Sequence, residues 1–336
     1  MHTLRNRLLI GLGLGILVML GLAFWSDLTA LRRILTTFRW GFFPLALLCT
    51  LFNYVLRFIK WHYYARLVGA RDLPAGASAR LFVAGFPLAV TPGKAGEALK
   101  ALWLSEWSSV PFARGLPVVL AERFSDGVAV LALSAVGMFA LPSLWPGFLA
   151  MLVVCVCVVV LSQARPLALW LLHHAERLPV IGSKMHSLRE FYEAGALLLS
   201  PIPLLTAVGL GMVSWLGEGV GFYLILLGLG VAPGWTTLAN AVFVLGFSTL
   251  VGSASALPGG LGAAEASITG LLLLTVTADH GTAGAATLLI RLATLWFGVT
   301  LGLIVWAITP NLWNRRADSA VSQVADPPHF QDIGGG

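Results

Sequence analysis

The sequence predicts an all-α polytopic membrane protein, with about six full spans plus two re-entrant or broken helix pairs arranged as an inverted repeat. Three observations predict it. Of 336 residues, 58% are hydrophobic and only 11% charged, with a mean hydropathy of +0.87, well above the roughly 45–50% apolar share of a soluble domain. Windows of about 19 residues are repeatedly apolar enough to cross a bilayer. Two proline–glycine clusters also interrupt apolar stretches in the same manner in the two halves of the chain. Glycine and proline follow no period, the three cysteines sit apart from any framework, and no polar stretch is long enough for a soluble catalytic domain. Collagen-like, disulfide-scaffold and large soluble enzyme classes are excluded. A net charge of +6 and a pI near 9.6 here report loops facing anionic lipid rather than a nucleic-acid partner.

The first apolar stretch, Leu8 to Trp25, follows Arg5 and Arg7, but Phe24-Trp25-Ser26-Asp27 is no small-residue cleavage site. A retained anchor is expected rather than a secretory signal. Trp40 to Ile59 is the next span. Leu81 to Leu104 is apolar but broken at Thr91-Pro92-Gly93. Leu116 to Leu141 and Pro146 to Leu161 are again full spans. A polar connection, 163–200, holds His173-His174 and a candidate amphipathic helix from Ser183 to Leu199, which suits a cytoplasmic membrane interface. Pro203 to Leu229 and Ala285 to Ile308 complete the six spans. Between them Leu238 to Val276 is broken at Leu257-Pro258-Gly259-Gly260. Each half of a broken stretch looks too short to cross about 30 Å at about 1.5 Å per residue, so hairpins are expected. Residues 1–310 thus read as one transmembrane domain, with repeat one at 40–141 and repeat two at 203–308, and 311–336 as a disordered tail.

Orientation follows from the basic residues. If both hairpins return to the side they start from, Lys60, Arg66, Arg71, Arg80, Arg114, Arg165, Arg177, Lys184 and Arg189 face one side, with Arg315 and Arg316. The other side keeps mainly Arg32, Arg33 and Arg39. The positive-inside rule then places both termini in the cytoplasm and the chain in a bacterial inner membrane.

The repeat rests on spacing. Pro92-Gly93-Lys94-Ala95-Gly96 recurs in pattern as Pro258-Gly259-Gly260-Leu261-Gly262, at 258 − 92 = 166, and a glutamate follows each, Glu97 and Glu265. A deep arginine comes next, Arg123 and Arg291, at 291 − 123 = 168. Paired broken helices in inverted halves are how alternating-access transporters are built, with the site where the halves meet.

Glu122, Arg123 and Asp126 interrupt one span, and Glu218 another. Together with Glu97, Glu265 and Arg291 they would each cost about 2.5–3.5 kcal/mol against lipid. They must face one another, protein or a wet cavity. Two arginines suit a phosphate or other anionic headgroup, bound bidentately, with the acids balancing charge or relaying protons. The bland alternative pairs Arg123 with Asp126, and Arg291 with Glu218 or Glu265, as pins between helices. The substrate site expected from these residues comprises Pro92, Gly93, Lys94, Gly96, Glu97, Glu122, Arg123, Asp126, Glu218, Pro258, Gly259, Gly260, Gly262, Glu265 and Arg291. In it the two glycine turns offer backbone donors to an anion, as helix N-termini do, or simply allow close helix crossing. Asn53 and Arg57 share a face, but Arg57, Lys60, His62, Tyr63 and Tyr64 read as an interfacial belt. Cys155 and Cys157 lack His or acidic company, so neither a metal nor a cofactor is expected. No HExxH or Walker A motif is present, and Ser253 with His280 makes a poor dyad, so no catalytic residue is assigned.

These residues carry a resemblance. Pro92-Gly93-Lys94-Ala95-Gly96-Glu97, Glu122-Arg123-Phe124-Ser125-Asp126, Pro258-Gly259-Gly260-Leu261-Gly262 with Glu265, and Arg291 make the chain resemble the flippase-like transmembrane domain of the lysylphosphatidylglycerol synthase family, from Leu8 to Pro310. The resemblance implies movement of a polar-headed lipid between leaflets by a stand-alone member without the aminoacyl-transferase domain. Its partner would be a membrane lipid with a polar or phosphate headgroup, with a lipid-modifying enzyme as a further candidate partner. The alternative is an integral membrane enzyme acting on a lipid-linked phosphate or sugar.

Overall fold

The computed structural model describes residues 34, 36–91, 96–138, 145–166, 168, 170, 174 and 185–309. The expected first anchor, the turn residues Pro92, Gly93 and Lys94, the His173 end of the connection and the tail lie outside the described residues. Among the described residues the chain is helical without strands, an all-α polytopic membrane protein.

The helices run in order as α1 (Phe42–Leu67), α2 (Ala75–Ala84), α3 (Ala98–Trp107), α4 (Phe112–Met138), α5 (Trp145–Gln163) and α6 (Met185–Leu198). They continue as α7 (Pro201–Gly228), α8 (Trp235–Ala254), α9 (Ala263–Thr275), α10 (His280–Arg291) and α11 (Phe297–Ile308). Short 3₁₀ turns at Phe86–Val90 and Pro258–Gly260 sit at the two breaks, and a π turn, Leu292–Trp296, joins α10 to α11.

Among the described residues five helices are long and apolar enough to cross a membrane: α1, α5, α7, α8 and the continuous α10–α11 run. With 27 residues, α4 is equally long, about 40 Å at the helical rise, and differs only in carrying Glu122, Arg123 and Asp126. Two boundaries differ from expectation. α1 continues past Ile59 to Leu67, because Lys60, Tyr64 and Ala65 are buried against protein, where charge does not mark a membrane boundary. α8 has 20 residues and is long enough to span, which corrects the expectation that each half of the second broken stretch is too short.

Hydrogen-bond register, rather than helix length, identifies the hairpins. Asn240 Nδ2 donates to the Thr275 carbonyl at 2.9 Å and Ser248 Oγ to Ser267 Oγ at 3.0 Å, so α9 runs back along α8 toward the face α8 started from. On the other face, Ser109 N–H donates to Asp72 Oδ2 at 3.0 Å, bringing the loop before α2 beside the loop after α3. α11 runs antiparallel to α2, with Gly298 beside Phe86, Gly302 beside Pro87 and Trp306 Nε1 donating to the Ala84 carbonyl at 2.8 Å. The two hairpins therefore enter from opposite faces, and their tips meet where Val90 packs against Gly259.

The second tip needs glycine: Gly259, Gly260 and Gly262 all hold positive φ, at 62°, 66° and 86°, a region closed to most side chains. α1 and α7 form the broadest antiparallel contact and frame the hairpins. α5 is almost wholly exposed, only Phe148 being buried, as suits a lipid-facing helix. The π turn leaves a carbonyl at Thr294 that accepts the Tyr54 hydroxyl at 2.7 Å. At the start of α10, Asp279 accepts from the Gly281 and Thr282 N–H groups at 3.3 and 2.8 Å and from the Thr282 hydroxyl at 2.6 Å. Those donors, the Thr282 side chain foremost, hold its carboxyl below the usual range.

A methyl group on Gly302 would overlap the Pro87 ring, whereas Gly209 faces open space. Gly302→Ala is expected to destabilise the protein by about 1–3 kcal/mol despite better helix propensity, and Gly209→Ala to leave it unharmed, in thermal unfolding in detergent. Asp279→Ala removes the α10 cap, at about 1 kcal/mol. Because the folded carboxyl titrates below the unfolded one, that cap contributes fully above the ordinary carboxylate value and is lost as pH falls through the depressed one. The stability gap between wild type and Asp279→Ala should thus close on acidification, and a gap unchanged down to pH 3 would contradict it.

Candidate functional site

Where the hairpin tips meet α1, α4 and α7, ionic side chains gather that no lipid-facing position would hold. Glu122, fully buried on α4, is their centre: Lys100 Nζ lies 2.7 Å from its Oε2, and Arg123 Nη2 and Arg57 Nη2 lie 3.0 and 3.4 Å from its Oε1. One turn on, Asp126 makes a direct ion pair with Lys60, faces Arg57 Nε at 3.4 Å and accepts from Trp215 Nε1 at 3.3 Å. The Lys100 ammonium also sits over the Trp61 ring, 4.2 Å from its centroid, a cation–π contact that offsets part of its lost hydration. Lys60 is wholly buried, its Nζ reaching the Glu122 carbonyl as well as Asp126.

The glutamate and arginine that follow each break pair with each other. Arg123 Nε lies 3.1 Å from Glu97 Oε2, and Arg291 Nε donates to Glu265 Oε1. The glutamates share the arginines' offset, 265 − 97 = 168. The two pairs differ in how they are held. Glu265 Oε2 accepts the Gly262 N–H at 2.6 Å, and Arg291 Nη2 donates to the Gly259 carbonyl at 2.9 Å, so the second pair stitches the glycine turn shut. Arg123 Nε is not aligned for a hydrogen bond with Glu97, and the Arg123 side chain is 37% exposed against 12% for Arg291.

A cavity lies over this cluster in two adjoining lobes, of about 170 and 320 Å³. Arg57, Glu97, Arg123, Trp215 and Arg291 line both lobes; Lys100 and Glu218 line the first, and Asp126, Gly259 and Gly260 the second. The helix that follows each hairpin, α4 or α10, thus presents an arginine to one space. Glu218 is buried on α7 and accepts one hydrogen bond, from Asn53 Nδ2 at 3.3 Å; among the described residues it has no cation within 4 Å.

Several expected placements differ. Arg123 pairs with Glu97 and Glu122, not with Asp126, because Lys60 and Arg57 reach Asp126 from α1. Arg291 pairs with Glu265 and not with Glu218. Glu122 and Glu265 sit behind the cavity wall, as do Pro258 and Gly262, while Gly96 is buried against Thr91, donating to its hydroxyl at 3.0 Å. Donors in the second turn are already occupied: Gly260 and Leu261 N–H by Leu257 and Pro258 carbonyls, Gly262 N–H by Glu265. That removes those three from an anion site.

The expected interfacial belt is also corrected. Arg57 and Lys60 turn inward to the acids of α4, and Tyr64 is buried. Their signal was present as Asn53, Arg57, Lys60 and Tyr64 at spacings of four, three and four, one polar stripe along a helix. Lys100 went unnoticed although it stands three residues after Glu97, on the same helical face. Among the described residues no group of His, Cys, Asp and Glu has the arrangement to hold a metal.

A family model described as the lysylphosphatidylglycerol synthase TM region matches residues 10–302 of this chain. A UPF0104 membrane protein of Methanothermobacter thermautotrophicus is similar to it, 26% identical over 311 residues, covering 87% of this chain and 90% of that protein.

The two arginines are expected to respond differently to truncation. Arg291→Ala leaves Glu265 buried without its cation and the Gly259 carbonyl without a donor, a loss of about 3–5 kcal/mol. Arg123→Ala leaves Glu122 still held by Lys100 and Arg57, and should cost about 1–2 kcal/mol, between exposed and buried pairs. Thermal unfolding of the two purified variants side by side checks the order.

Proposed function

The chain belongs to the family of the lysylphosphatidylglycerol synthase transmembrane region, and on that premise we propose that it is a lipid flippase, moving an anionic headgroup between leaflets through the cavity between its hairpins. The supporting observation is the Arg123 guanidinium, partly exposed in a cavity whose walls also carry Arg57 and Arg291.

A phosphate headgroup loses most of its hydration in hydrocarbon, and fixed cations replace the lost water. Arg123 suits that exchange. Its contact with Glu97 is unaligned, and Glu122 keeps Lys100 and Arg57 when Arg123 swings away, so the one carboxylate that a turn toward phosphate uncovers is Glu97, which itself lines the cavity. Its planar fork binds phosphate bidentately. The acyl chains stay in the bilayer throughout, so the process makes and breaks no covalent bond.

The two hairpins form inverted repeats in this reading, each contributing one glutamate–arginine pair. The face holding the loops after α1, α3 and α5 carries Arg66, Arg71, Arg114 and Arg189, which supports a reading of that face as cytoplasmic in an inner-membrane protein. The headgroup would pass from one side to the other by rocking of the hairpins about the Val90–Gly259 contact.

The experiment is reconstitution into liposomes holding fluorescent phosphatidylglycerol, with outer-leaflet label quenched by dithionite. Wild-type protein is expected to accelerate exchange, and Arg123→Ala to slow it at least tenfold while keeping a wild-type elution profile. Arg123→Lys should restore part of the rate as a point charge. Exchange no faster than in protein-free vesicles, for anionic lipids of several headgroups, would falsify the reading.

A further inference from the structure

A second built pocket lies away from the central cavity, where the start of α4, the end of α5 and the interfacial helix α6 converge. It holds about 410 Å³, and its wall carries Arg114, Arg165 and Arg189, one from each of the three converging regions. Among the described residues none of the three has a carboxylate within 4 Å, and Glu193 is the one acid on the wall. Three cations against one acid make a strongly positive recess at a membrane face.

Adjoining it is a groove of about 350 Å³ lined almost wholly by apolar side chains, among them Leu120, Phe124, Val158 and Phe191. The two spaces share Tyr192 and Ala196. Gln163 Nε2 donates to the Ala196 carbonyl at 2.9 Å, tying the end of α5 to α6 and fixing the corner where charged recess and apolar groove join. The Tyr192 hydroxyl at that corner is buried and has no hydrogen-bond partner, a state that ordinarily costs about 1–3 kcal/mol. The exposed surface of α5 makes the groove reachable sideways from the bilayer.

We propose that this recess and groove form a binding site for one anionic phospholipid, its phosphate among Arg114, Arg165 and Arg189 and an acyl chain along the groove between α4, α5 and α6. Charge complementarity selects an anionic headgroup, and the continuous apolar groove selects a lipid over a free anion. The Tyr192 hydroxyl gains a phosphate or ester oxygen as acceptor. The site shares no lining residue with the central cavity, so it stands whether or not the cavity carries headgroups.

Native mass spectrometry of the purified full chain, titrated in detergent with dioleoyl phosphatidylglycerol or dioleoyl phosphatidylcholine, tests it. Wild-type protein should retain phosphatidylglycerol at least tenfold more tightly than phosphatidylcholine. The triple variant Arg114→Gln, Arg165→Gln, Arg189→Gln should lose that preference, and Ala196→Phe, which fills the shared corner, should lose one bound lipid. Arg123→Ala should leave in place the bound lipid that Ala196→Phe removes, whatever it does to lipid in the cavity, which separates this site from the cavity. Equal retention of the two lipids, displacement of phosphatidylglycerol by millimolar inorganic phosphate, or an Ala196→Phe variant that binds as wild type would each overturn the proposal. If the triple variant does not fold, the Ala196→Phe result decides alone.

Discussion

The mutual neutralisation of acids and bases between α1, α3 and α4 is the constraint on which the rest of the structure depends. Each charge alone would cost about 2.5–3.5 kcal/mol at the depth of a bilayer, and none of these helices could insert stably with its own charges unmet. Glu122 receives Lys100 from α3, Arg57 from α1 and Arg123 from its own helix, while Asp126 receives Lys60 and Arg57. Three helices are thereby fixed in one mutual register, since a slide of one turn would break several pairs together. Specification of register is a well-attested use of buried polar groups. The short helix α3, only 10 residues long and unable to span alone, owes its place to this network as much as to apolar contact.

Against that background the two glutamate–arginine pairs are held differently. At the second break, Glu265 caps α9 through the Gly262 N–H while Arg291 braces the turn through the Gly259 carbonyl. At the first, Arg123 Nε faces Glu97 without hydrogen-bond alignment while its Nη2 donates to Glu122, which also holds Lys100 and Arg57. One pair is locked into its glycine turn, and the other stands partly exposed to the cavity.

Legibility in the sequence followed the same division. Span positions, the breaks at Pro92 and Pro258 and the depth of Arg123 and Arg291 can be read because hydropathy and glycine act locally, over a window or a single turn. Partner choice cannot be read that way. Asp126 stands one turn from Arg123 in sequence, yet Lys60, sixty-six residues away, reaches it instead, because three-dimensional convergence of α1 on α4 outcompetes i,i+3 proximity. Arg57 and Lys60 looked interfacial for a related reason: a basic cluster at the end of an apolar run is the usual membrane boundary, and only the packing of α1 against α4 and α7 shows that α1 continues beyond it. The length-based reason to expect the second hairpin does not hold: α8 has 20 residues, enough to cross, and it is the hydrogen-bond register with α9, not a short half, that shows the chain turning back.

The cavity's depth is set by where the two tips stop. Each hairpin ends when its backbone can no longer continue as helix: at the Phe86–Val90 turn in one and at the Pro258–Gly260 turn in the other. Because the hairpins enter from opposite faces, the tips halt at a common level, and the cavity lies beside their contact. Arg291 at the end of α10 and the π turn that follows it border that space, and π turns introduce a local widening in an otherwise continuous helix. The Tyr54 hydroxyl takes up the carbonyl at Thr294 while its ring lies 4.6 Å from that of Phe86, so one side chain on the framing helix α1 touches both the widened helix and the tip of the opposite hairpin. α1 therefore braces the tip of the first hairpin against the π turn that follows Arg291, at the border of the cavity.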